Sequence, residues 1–373
     1  MTTQTPVVAR NAATGPFSTA SAVWLVAERE IGSKLRSKAF LISTGILLLI
    51  ALAGVLIGGF MSTTPSKTPV AVTSATAAAL QGMDGFEVTE AADADAAEQL
   101  VRDGEVDAAL LPSDDAVFGY TVVVKSDVSS SLVMTLSKTP HVDVLEPAKT
   151  DPLLRYFIAI GFGIVFLMAA STFGGTIAQS VVEEKQTRVV ELLISAIPTR
   201  ALMAGKIIGN TILAMAQIVL LAAIAVVGLI VTGQNAVLAG LGGPILWFAV
   251  FFLFGFILLA SLFAAAAAMV SRQEDIGSTT MPITMLVMAP YLLVILFNDN
   301  PVVMAIMSYV PFSAPVGMPM RLFLGDAQWW EPLLSLLILI ASCIVAILIA
   351  AKIYENSLLR MGARVKLVEA LRG

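Results

Sequence analysis

Charged residues gather in one segment between two long apolar runs, from Val181 to Arg200, which reads VVEEKQTRVVELLISAIPTR. In a helix, the apolar residues of this segment fall at i, i+3, i+4 and i+7 on one face, and charged residues line another. The apolar positions are Val190, Leu193, Ile194 and Ile197, and the candidate contact residues are Glu183, Glu184, Lys185, Arg188 and Glu191. Glu184 and Arg188 have the spacing of a helical ion pair, and Pro198 ends the pattern. The segment, residues 181–203, is predicted to be an amphipathic helix that lies across a membrane surface and presents charges to a partner.

The sequence lacks the motifs of nucleotide hydrolysis and of common hydrolases. A Walker A phosphate loop needs Gly-x-x-x-x-Gly-Lys-Ser/Thr, so that backbone amides hold phosphate and a hydroxyl holds magnesium. Here Gly205-Lys206 is followed by Ile207. The single histidine, His141, excludes a His-Glu-x-x-His zinc site, and the acidic residues between positions 93 and 107 do not have EF-hand spacing. We therefore predict no catalytic residue, no metal site and no cofactor.

The composition is that of a membrane protein. Hydrophobic residues make up 57% of the chain and charged residues 13%, whereas soluble domains have roughly 45–50% and 25%. The mean hydropathy is +0.88. The single cysteine, Cys343, excludes an intrachain disulfide. Membrane lipid is therefore a predicted partner, and nucleic acid is not.

Six apolar runs are long enough to cross about 30 Å of hydrocarbon. The predicted spans are residues 39–60, 156–180, 204–231, 244–270, 279–297 and 332–351. Between the first two spans, residues 61–155 contain fifteen acidic and six basic residues. Extended stretches alternate there with helical ones, for example a helix, a turn at Gly104 and a strand within Ala97 to Pro112. The predicted fold is an α-helical polytopic membrane protein with six transmembrane helices and an extracytoplasmic α/β domain inserted between helices 1 and 2.

The predicted strands of that domain are Val70 to Ser74, Val106 to Leu111, Tyr120 to Val124 and Val142 to Leu145. Its predicted helices are Ala75 to Met83, Asp93 to Asp103 and Ser129 to Ser137.

Lys and Arg residues are distributed unevenly among the predicted loops. The N-terminal segment has five, the segment 181–206 has four, the loop 271–278 has one and the C-terminal tail has five, of 22 in the chain. Because Lys and Arg of short loops remain on the cytoplasmic side, both termini are predicted to be cytoplasmic. The protein is accordingly predicted to be a multi-pass protein of the plasma membrane.

Three segments outside the spans have patterns of their own. Residues 1–38 are predicted to be a cytoplasmic N-terminus whose part from Trp24 to Lys38 forms an amphipathic helix at the membrane interface. Its apolar face is predicted to be Trp24, Ala27, Ile31 and Leu35. Residues 298–331 are apolar but repeatedly interrupted by proline, which predicts an outer re-entrant hairpin rather than a span. Residues 352–373 are predicted to be a cytoplasmic tail.

The interior of the predicted spans is almost without polar groups. No Asp, Glu, Lys, Arg or His lies well inside any of them. Asn210 and Gln217 are the main amides of the third span, and their spacing of seven places them on one face. They either form interhelical hydrogen bonds or line a pathway. Gly205-x-x-x-Gly209 would permit a close helix contact, although this spacing is common in apolar segments.

The motif Glu-Glu-Lys-x-x-Arg-x-x-Glu-Leu-Leu, followed by a proline and then Gly-Lys-Ile, resembles the segment after the second transmembrane helix of type-2 ABC exporter permeases. It is most similar to the branch that includes the sodium-exporter permeases. Similar phrases occur at Glu30 to Phe40, Ala97 to Pro112 and Val310 to Val316. The resemblance implies a permease subunit of an ATP-driven exporter, a cytoplasmic ABC ATP-binding subunit as partner, and a second permease copy or paralogue in a dimer. The implied cargo is sodium, a drug, a peptide or a lipid.

Three other interpretations remain open at this point. The segment 181–203 is, in the simplest of them, a solvated loop whose charges only fix the topology. A membrane-anchored sensor or assembly factor with an extracytoplasmic domain would need no coupling helix. An ion-coupled carrier would need an ionisable group within the membrane.

Overall fold

The computed structural model describes residues 18–63, 68–80, 86–113, 119–125, 152–187, 189–360 and 365–372. The chain divides into two compact units. One unit, the membrane unit, contains residues up to Leu56 and from Ala148 onward, and the other contains Ile57–Pro147.

The described residues of the membrane unit form helices joined by turns and loops. Its helices are α1 Thr19–Arg36, α2 Lys38–Thr63, α4 Pro152–Gln186, α5 Val189–Ala196, α6 Thr199–Val231, α7 Asn235–Ala268, α8 Ile276–Leu296, α9 Pro301–Tyr309, α10 Ala314–Leu324, α11 Glu331–Leu358 and α12 Leu367–Arg372. Within the described residues, six helical segments are long and apolar enough to cross a membrane: Lys38–Gly59, Leu154–Gln186, Thr199–Val231, Asn235–Ala268, Gln273–Leu296 and Glu331–Ser357. The prediction of a polytopic protein with six membrane helices is confirmed.

Helix α7 lies at the centre of the membrane unit. Aromatic rings of α7 interlock with those of α4: the rings of Phe252 and Phe166 are edge to face at 5.8 Å, and those of Phe256 and Phe173 at 6.1 Å. Such arrangements are favoured by the ring quadrupole. At Gly255, a Cβ atom would lie 2.5 Å from Cγ of Pro315, so α7 and α10 are in close contact there. The long phenylalanine-rich face of α7 is therefore the core around which α4 and α10 pack.

Helices α9 and α10 form a short hairpin that is packed into this core. All residues from Ala314 to Arg321 are buried. The Arg321 guanidinium donates to the hydroxyl of Ser308 at 2.9 Å, and it lies 2.5 Å from a carboxylate oxygen of Glu331. These contacts join α10 to α9 and to the start of α11. The hairpin occupies the segment for which the sequence predicts a re-entrant structure, residues 298–331.

The second unit contains a small sheet and one α-helix among its described residues. Strands β1 Thr68–Val72, β2 Phe86–Glu90, β3 Ala108–Pro112 and β4 Tyr120–Val124 have the order β2-β1-β3-β4. β1 is parallel to β2 and to β3, and β3 is antiparallel to β4. Helix α3, Ala94–Asp103, packs through Ala97 and Val101 on one face of the sheet. The Asp93 carboxylate caps α3 at its start, and Gly104 ends it with a φ of 78°.

The sequence prediction agrees with part of this unit. The helix, turn and strand predicted within Ala97 to Pro112 match α3, Gly104 and β3. The strand β2 is not predicted from the sequence, because its residues FEVTE are acidic and four of the five are exposed. The predicted helix at Ser129 to Ser137 and the predicted strand at Val142 to Leu145 lie outside the described residues.

Candidate functional site

The segment predicted as one surface helix, residues 181–203, has a different structure. Its first six residues complete α4, which ends at Gln186. A separate short helix, α5, follows, and α6 begins at Thr199 directly after Pro198. The reason is packing: Val181, Val182 and Lys185 continue the buried face of α4, so that this helix extends beyond the apolar run. The independent amphipathic element is therefore only α5, Val189–Ala196.

Helix α5 has the two faces that its sequence predicts. Val190 is buried, and Leu193, Ile194 and Ile197 pack against the core of the membrane unit. Glu191 is exposed on the opposite side. Leu192 is 74% exposed, and the sequence prediction did not include it among the contact residues. Its position outside the i, i+3, i+4, i+7 face could have indicated this exposure. Glu183, at the end of α4, is also exposed. We call Glu183, Glu191 and Leu192 the exposed coupling surface.

The other predicted contact residues do not all share this position. Glu184 has a side chain that is only 12% exposed, and Lys185 is completely buried. In this structure these two side chains contact other helices of the same chain. Arg188 lies outside the described residues, so the structure does not test the predicted ion pair between Glu184 and Arg188. The prediction that five charged residues together face a partner is therefore wrong for Lys185, because its ammonium is enclosed by α7 and α11.

Glu184 belongs to a buried cluster of charges contributed by three helices. We call Arg29 and Glu30 of α1, Glu184 of α4 and Lys206 of α6 the charge cluster. Nζ of Lys206 lies 2.8 Å from Oε1 of Glu30 and 3.0 Å from Oε1 of Glu184. Arg29 forms ion pairs with both glutamates. Two cations thus compensate two carboxylates, which is the condition for burying charge.

The position of α1 makes this cluster possible. Backbone atoms of α1 contact α6 at two glycines: a Cβ on Gly205 would lie 2.8 Å from the Val23 carbonyl oxygen, and one on Gly209 would lie 2.9 Å from the Ala27 carbonyl oxygen. The buried face of α1 contains Ala22, Val26, Ala27 and Glu30. Trp24 and Leu35, which the sequence pattern places on the apolar face, are 57% and 50% exposed. An exposed face of Trp24 and Leu35 is compatible with the predicted contact of α1 with the membrane interface. The sequence pattern did not include Glu30, which is buried on the other face of α1.

The Arg29 and Glu30 side chains of α1 remain ionised at neutral pH. Burial alone would raise the pKa of Glu30, but Lys206 and Arg29 outweigh it and hold this pKa below its ordinary value of 4.5. Burial would likewise lower the pKa of Arg29, and Glu184 outweighs it and raises this pKa. The stability contributed by Glu30 is therefore complete above about pH 4.5 and is lost as the pH falls through the lower folded-state pKa.

The two predicted amides of the third span are both buried in α6. Oδ1 of Asn210 accepts a hydrogen bond from Oγ1 of Thr176 on α4 at 3.1 Å, and Nδ2 of Asn210 donates to the Lys206 carbonyl at 2.9 Å. Asn210 thus joins two spans, as in the interhelical interpretation. Gln217 lies two turns further along the same face and is 6% exposed.

Among the described residues, no group of three or more His, Cys, Asp or Glu side chains could hold a metal ion. The candidate site consists of exposed residues at the end of α4 and on α5, and of the charge cluster to which Glu184 of α4 contributes.

The amino-acid sequence matches one known protein family over most of its length. Residues 38–352 match the family described as "ABC-2 family transporter protein". The chain belongs to this family, whose members are membrane components of ABC transporters.

Two curated relatives are similar to part of the chain. One, from Bacillus subtilis (strain 168), is 26% identical over 231 residues, which are 58% of this chain and 55% of the relative. The other, from Methanocaldococcus jannaschii, is 28% identical over 211 residues, which are 56% of this chain and 51% of the relative. Both are named as uncharacterized proteins, and the match spans about half of their length. No solved structure shows a significant match.

Proposed function

We propose that this chain is the permease subunit of an ATP-driven exporter and that it receives force from a separate cytoplasmic ATP-binding subunit. The observation that carries the proposal is the exposed coupling surface, in which Leu192 is 74% exposed beside the charged Glu191. Amphipathic helices bind in grooves of partner proteins by inserting a few apolar anchor side chains. An exposed leucine with acidic neighbours fits this mode of binding. Membership of the ABC-2 family supports an ATP-binding partner.

The proposed mechanism begins with ATP-driven closure of the ATP-binding subunits. Closure displaces α5, and the displacement reaches the end of α4 through the short connection around Thr187. Glu183, Glu191 and Leu192 are the proposed contacts with the partner, and Arg188 is retained from the sequence. Glu184 is proposed to act inside the chain, where it holds α1 and α6 against α4.

The remaining parts of the proposal rest on the sequence. Both termini and α5 are cytoplasmic, and the domain between the first two spans, predicted at residues 61–155, is extracytoplasmic. Two permease copies or paralogues form the transmembrane pathway in contact with lipid. The proposed cargo is sodium, as in the branch that the sequence resembles most, or an amphiphilic drug, peptide or lipid. Transport into vesicles that contain this chain and its ATP-binding subunit, with sodium and amphiphilic compounds compared, tests the cargo.

The coupling surface gives a direct prediction. Replacing Leu192 with aspartate should weaken association with the ATP-binding subunit by about 2 kcal/mol, because a central apolar anchor is replaced by a charge that must be desolvated. Titration of the purified permease, in detergent, with its ATP-binding subunit would measure this as an increase in Kd of about thirtyfold.

The matched control is Leu348→Asn. Leu348 is 66% exposed but lies inside the last span, so that it faces lipid instead of the proposed partner. This variant should bind the ATP-binding subunit with the wild-type Kd. Equal Kd values for wild type and Leu192→Asp would contradict the assignment of Leu192 to the contact surface. If the wild-type chain binds no ATP-binding subunit, the alternative function, a membrane-anchored sensor or assembly factor, is favoured instead.

The proposed topology predicts opposite accessibility of two reporter cysteines. Cys343 is the single native cysteine, and it is buried, so Cys343→Ser provides a clean background. In intact cells, a membrane-impermeant maleimide should label Gln99→Cys on α3. It should label Ser195→Cys on α5 only after permeabilisation. Both replaced residues are exposed in the structure. The reverse labelling pattern would place α5 outside the cell and would defeat the proposed mechanism.

A further inference from the structure

Lys185 is a fully buried cation whose contacts are backbone carbonyls. Its Nζ donates to the Ala268 carbonyl oxygen at 2.8 Å and to the Ser357 carbonyl oxygen at 3.0 Å. Among the residues that the structure describes, no carboxylate forms an ion pair with it within 4.0 Å. A buried ammonium must be compensated by some negative potential, and here the compensation comes from the peptide backbone.

Both carbonyls lie at the C-terminal ends of long helices. Ala268 is the last residue of α7, and Ser357 is the next-to-last residue of α11. A helix end carries roughly half a negative charge, so two helix ends together present about one unit. One ammonium placed between them balances that charge. Lys185 therefore holds α7 and α11 together at their ends and joins both to the last turn of α4.

The last carbonyls of α7 show that this contact is not redundant. A helix leaves its final four carbonyls without an intrahelical partner. The Ala266 and Ala267 carbonyls accept backbone N–H groups at 3.3 and 3.2 Å, and the Met269 carbonyl accepts the N–H of Val365 at 2.9 Å. Lys185 supplies the hydrogen bond to Ala268. Without it, a buried carbonyl at the end of the central helix would lose its donor.

Glu184 and Lys185 are consecutive residues that point in different directions from α4. Glu184 contacts Arg29 of α1 and Lys206 of α6, and Lys185 contacts the ends of α7 and α11. The last turn of α4 therefore touches four other helices through two neighbouring side chains. It also precedes α5 by only two residues, 187 and 188.

We propose that Lys185 is a positioning residue that transmits displacement of α5 to α7 and α11, the helices of the fourth and sixth spans. This inference rests on the proposed function and deepens it. Lys185 does not contact the ATP-binding subunit. It makes the ends of α4, α7 and α11 move as one body when that subunit displaces α5.

The test compares Lys185→Met with Lys185→Arg and with a control lysine, each in the purified complex of this chain with its ATP-binding subunit. Lys185→Met removes the charge and the donors but keeps the length of the side chain. This variant should bind the ATP-binding subunit with the wild-type Kd. Its stimulation of ATP hydrolysis should be about tenfold lower than that of the wild-type permease, which is the size expected when an allosteric coupling is lost. Lys185→Arg keeps a cation and N–H donors at this position. It should therefore retain at least half of the wild-type stimulation of ATP hydrolysis. The control is Lys352→Met, because Lys352 is an exposed lysine of α11.

A distance measurement separates transmission from simple helix capping. Spin labels at Ser195→Cys on α5 and Gln273→Cys after α7, in the Cys343→Ser background, report whether the two elements move together. Both labelled positions are exposed. In the wild-type complex the distance between the labels should be the same with and without ATP. In Lys185→Met it should change on addition of ATP, because α5 then moves without α7.

The outcomes distinguish this inference from the proposed function. Full stimulation of ATP hydrolysis by Lys185→Met, or an ATP-independent label distance in it, would overturn the inference. If Lys185→Met is not recovered from membranes, Lys185→Gln replaces it, because glutamine keeps N–H donors but carries no charge. Full stimulation of ATP hydrolysis by Lys185→Gln would overturn the inference as well. Absence of any complex with the wild-type chain would instead refute the proposed function.

Discussion

Replacing Lys206 with methionine is expected to destabilise the membrane unit by about 3–5 kcal/mol, the cost of breaking a buried ion pair from one side. Lys206 is completely buried and holds two carboxylates, those of Glu30 and Glu184. Without it, these two negative charges share only Arg29, whose side chain is 44% exposed. Thermal unfolding of the purified protein in detergent, followed by the loss of the monodisperse peak in size-exclusion chromatography, measures the effect.

A second replacement should reverse most of this loss. The double variant Glu30→Met, Lys206→Met removes one charge of each sign and leaves Arg29 paired with Glu184, so the cluster is again neutral. A buried pair replaced by apolar side chains of similar volume is often neutral or stabilising. The double variant is therefore expected to be more stable than Lys206→Met alone, with a coupling energy of about 2 kcal/mol.

The matched control removes a lysine that the structure leaves exposed. Lys38→Met, at the start of α2, should change the stability by less than about 0.5 kcal/mol. If Lys206→Met is as stable as Lys38→Met, or if the double variant is less stable than the sum of its single changes, the charge cluster does not hold α1, α4 and α6 together.

The second large effect is expected at Gly205, where a single methyl group should displace α1. A Cβ atom at this position would lie 2.5 Å from Cβ of Val26 and 2.8 Å from the carbonyl oxygen of Val23. Because the second contact is with backbone, α1 itself must shift. Overpacking of this kind costs about 1–3 kcal/mol, and the shift also separates Glu30 from Lys206. Gly205→Ala is therefore expected to lower the unfolding temperature.

The control for this prediction is a glycine with open space around it. At Gly161, in α4, no atom lies within 4 Å of the added Cβ. Alanine is a better helix former than glycine by about 1 kcal/mol, so Gly161→Ala should raise the unfolding temperature or leave it unchanged. The two identical substitutions thus have opposite expected signs. A Gly205→Ala variant as stable as Gly161→Ala would contradict the close contact between α1 and α6.

A combined variant tests whether the γ-methyl groups of Val26 cause the overpacking at Gly205. Adding Val26→Ala to Gly205→Ala removes these two methyl groups but leaves Cβ of residue 26, at 2.5 Å, and the Val23 carbonyl oxygen, at 2.8 Å. We expect no rescue, because both remaining contacts are fixed to the backbone of α1.

The expected effects connect α1 with the proposed mechanism. Helix α1 lies on α6 through two glycines and is joined to α4 by Arg29 and Glu30. In the proposed mechanism, a force on the end of α4 acts on α1 and α6 through Glu184, and on α7 and α11 through Lys185. The sequence prediction assigned α1 to the membrane interface, and the structure adds that its polar residues are part of the internal contacts of the membrane unit.

Parts of the candidate site were predictable from local sequence alone. Val190, Leu193, Ile194 and Ile197 face the core, as the helical period predicts, and Pro198 separates α5 from α6. Glu191 is exposed as predicted. The Gly205-x-x-x-Gly209 spacing, a weak signal in an apolar segment, does mark a close helix contact, with α1 as the neighbour. In each case the sequence signal lies within two turns of a helix, although the neighbour that the glycines contact is known only from the structure.

The roles of Glu184 and Lys185 were not predictable in this way. Both lie in a charged stretch, and charged stretches are usually solvated. Their partners lie far away in the sequence: Arg29 is 155 residues from Glu184, and Ala268 and Ser357 are 83 and 172 residues from Lys185. A charged side chain can be buried only if the fold brings compensating groups from other helices next to it.

The sequence by itself determined the class of protein and its six membrane helices, because a run of about 20 apolar residues is stable in hydrocarbon whatever the neighbouring segments do. It also determined the faces of α5, since a helical period is a local property. Only the tertiary structure decided which charges face outward and which hold the helices together. Burial of a charge depends on compensation by distant groups, and the sequence does not show which helix ends and side chains meet at that point.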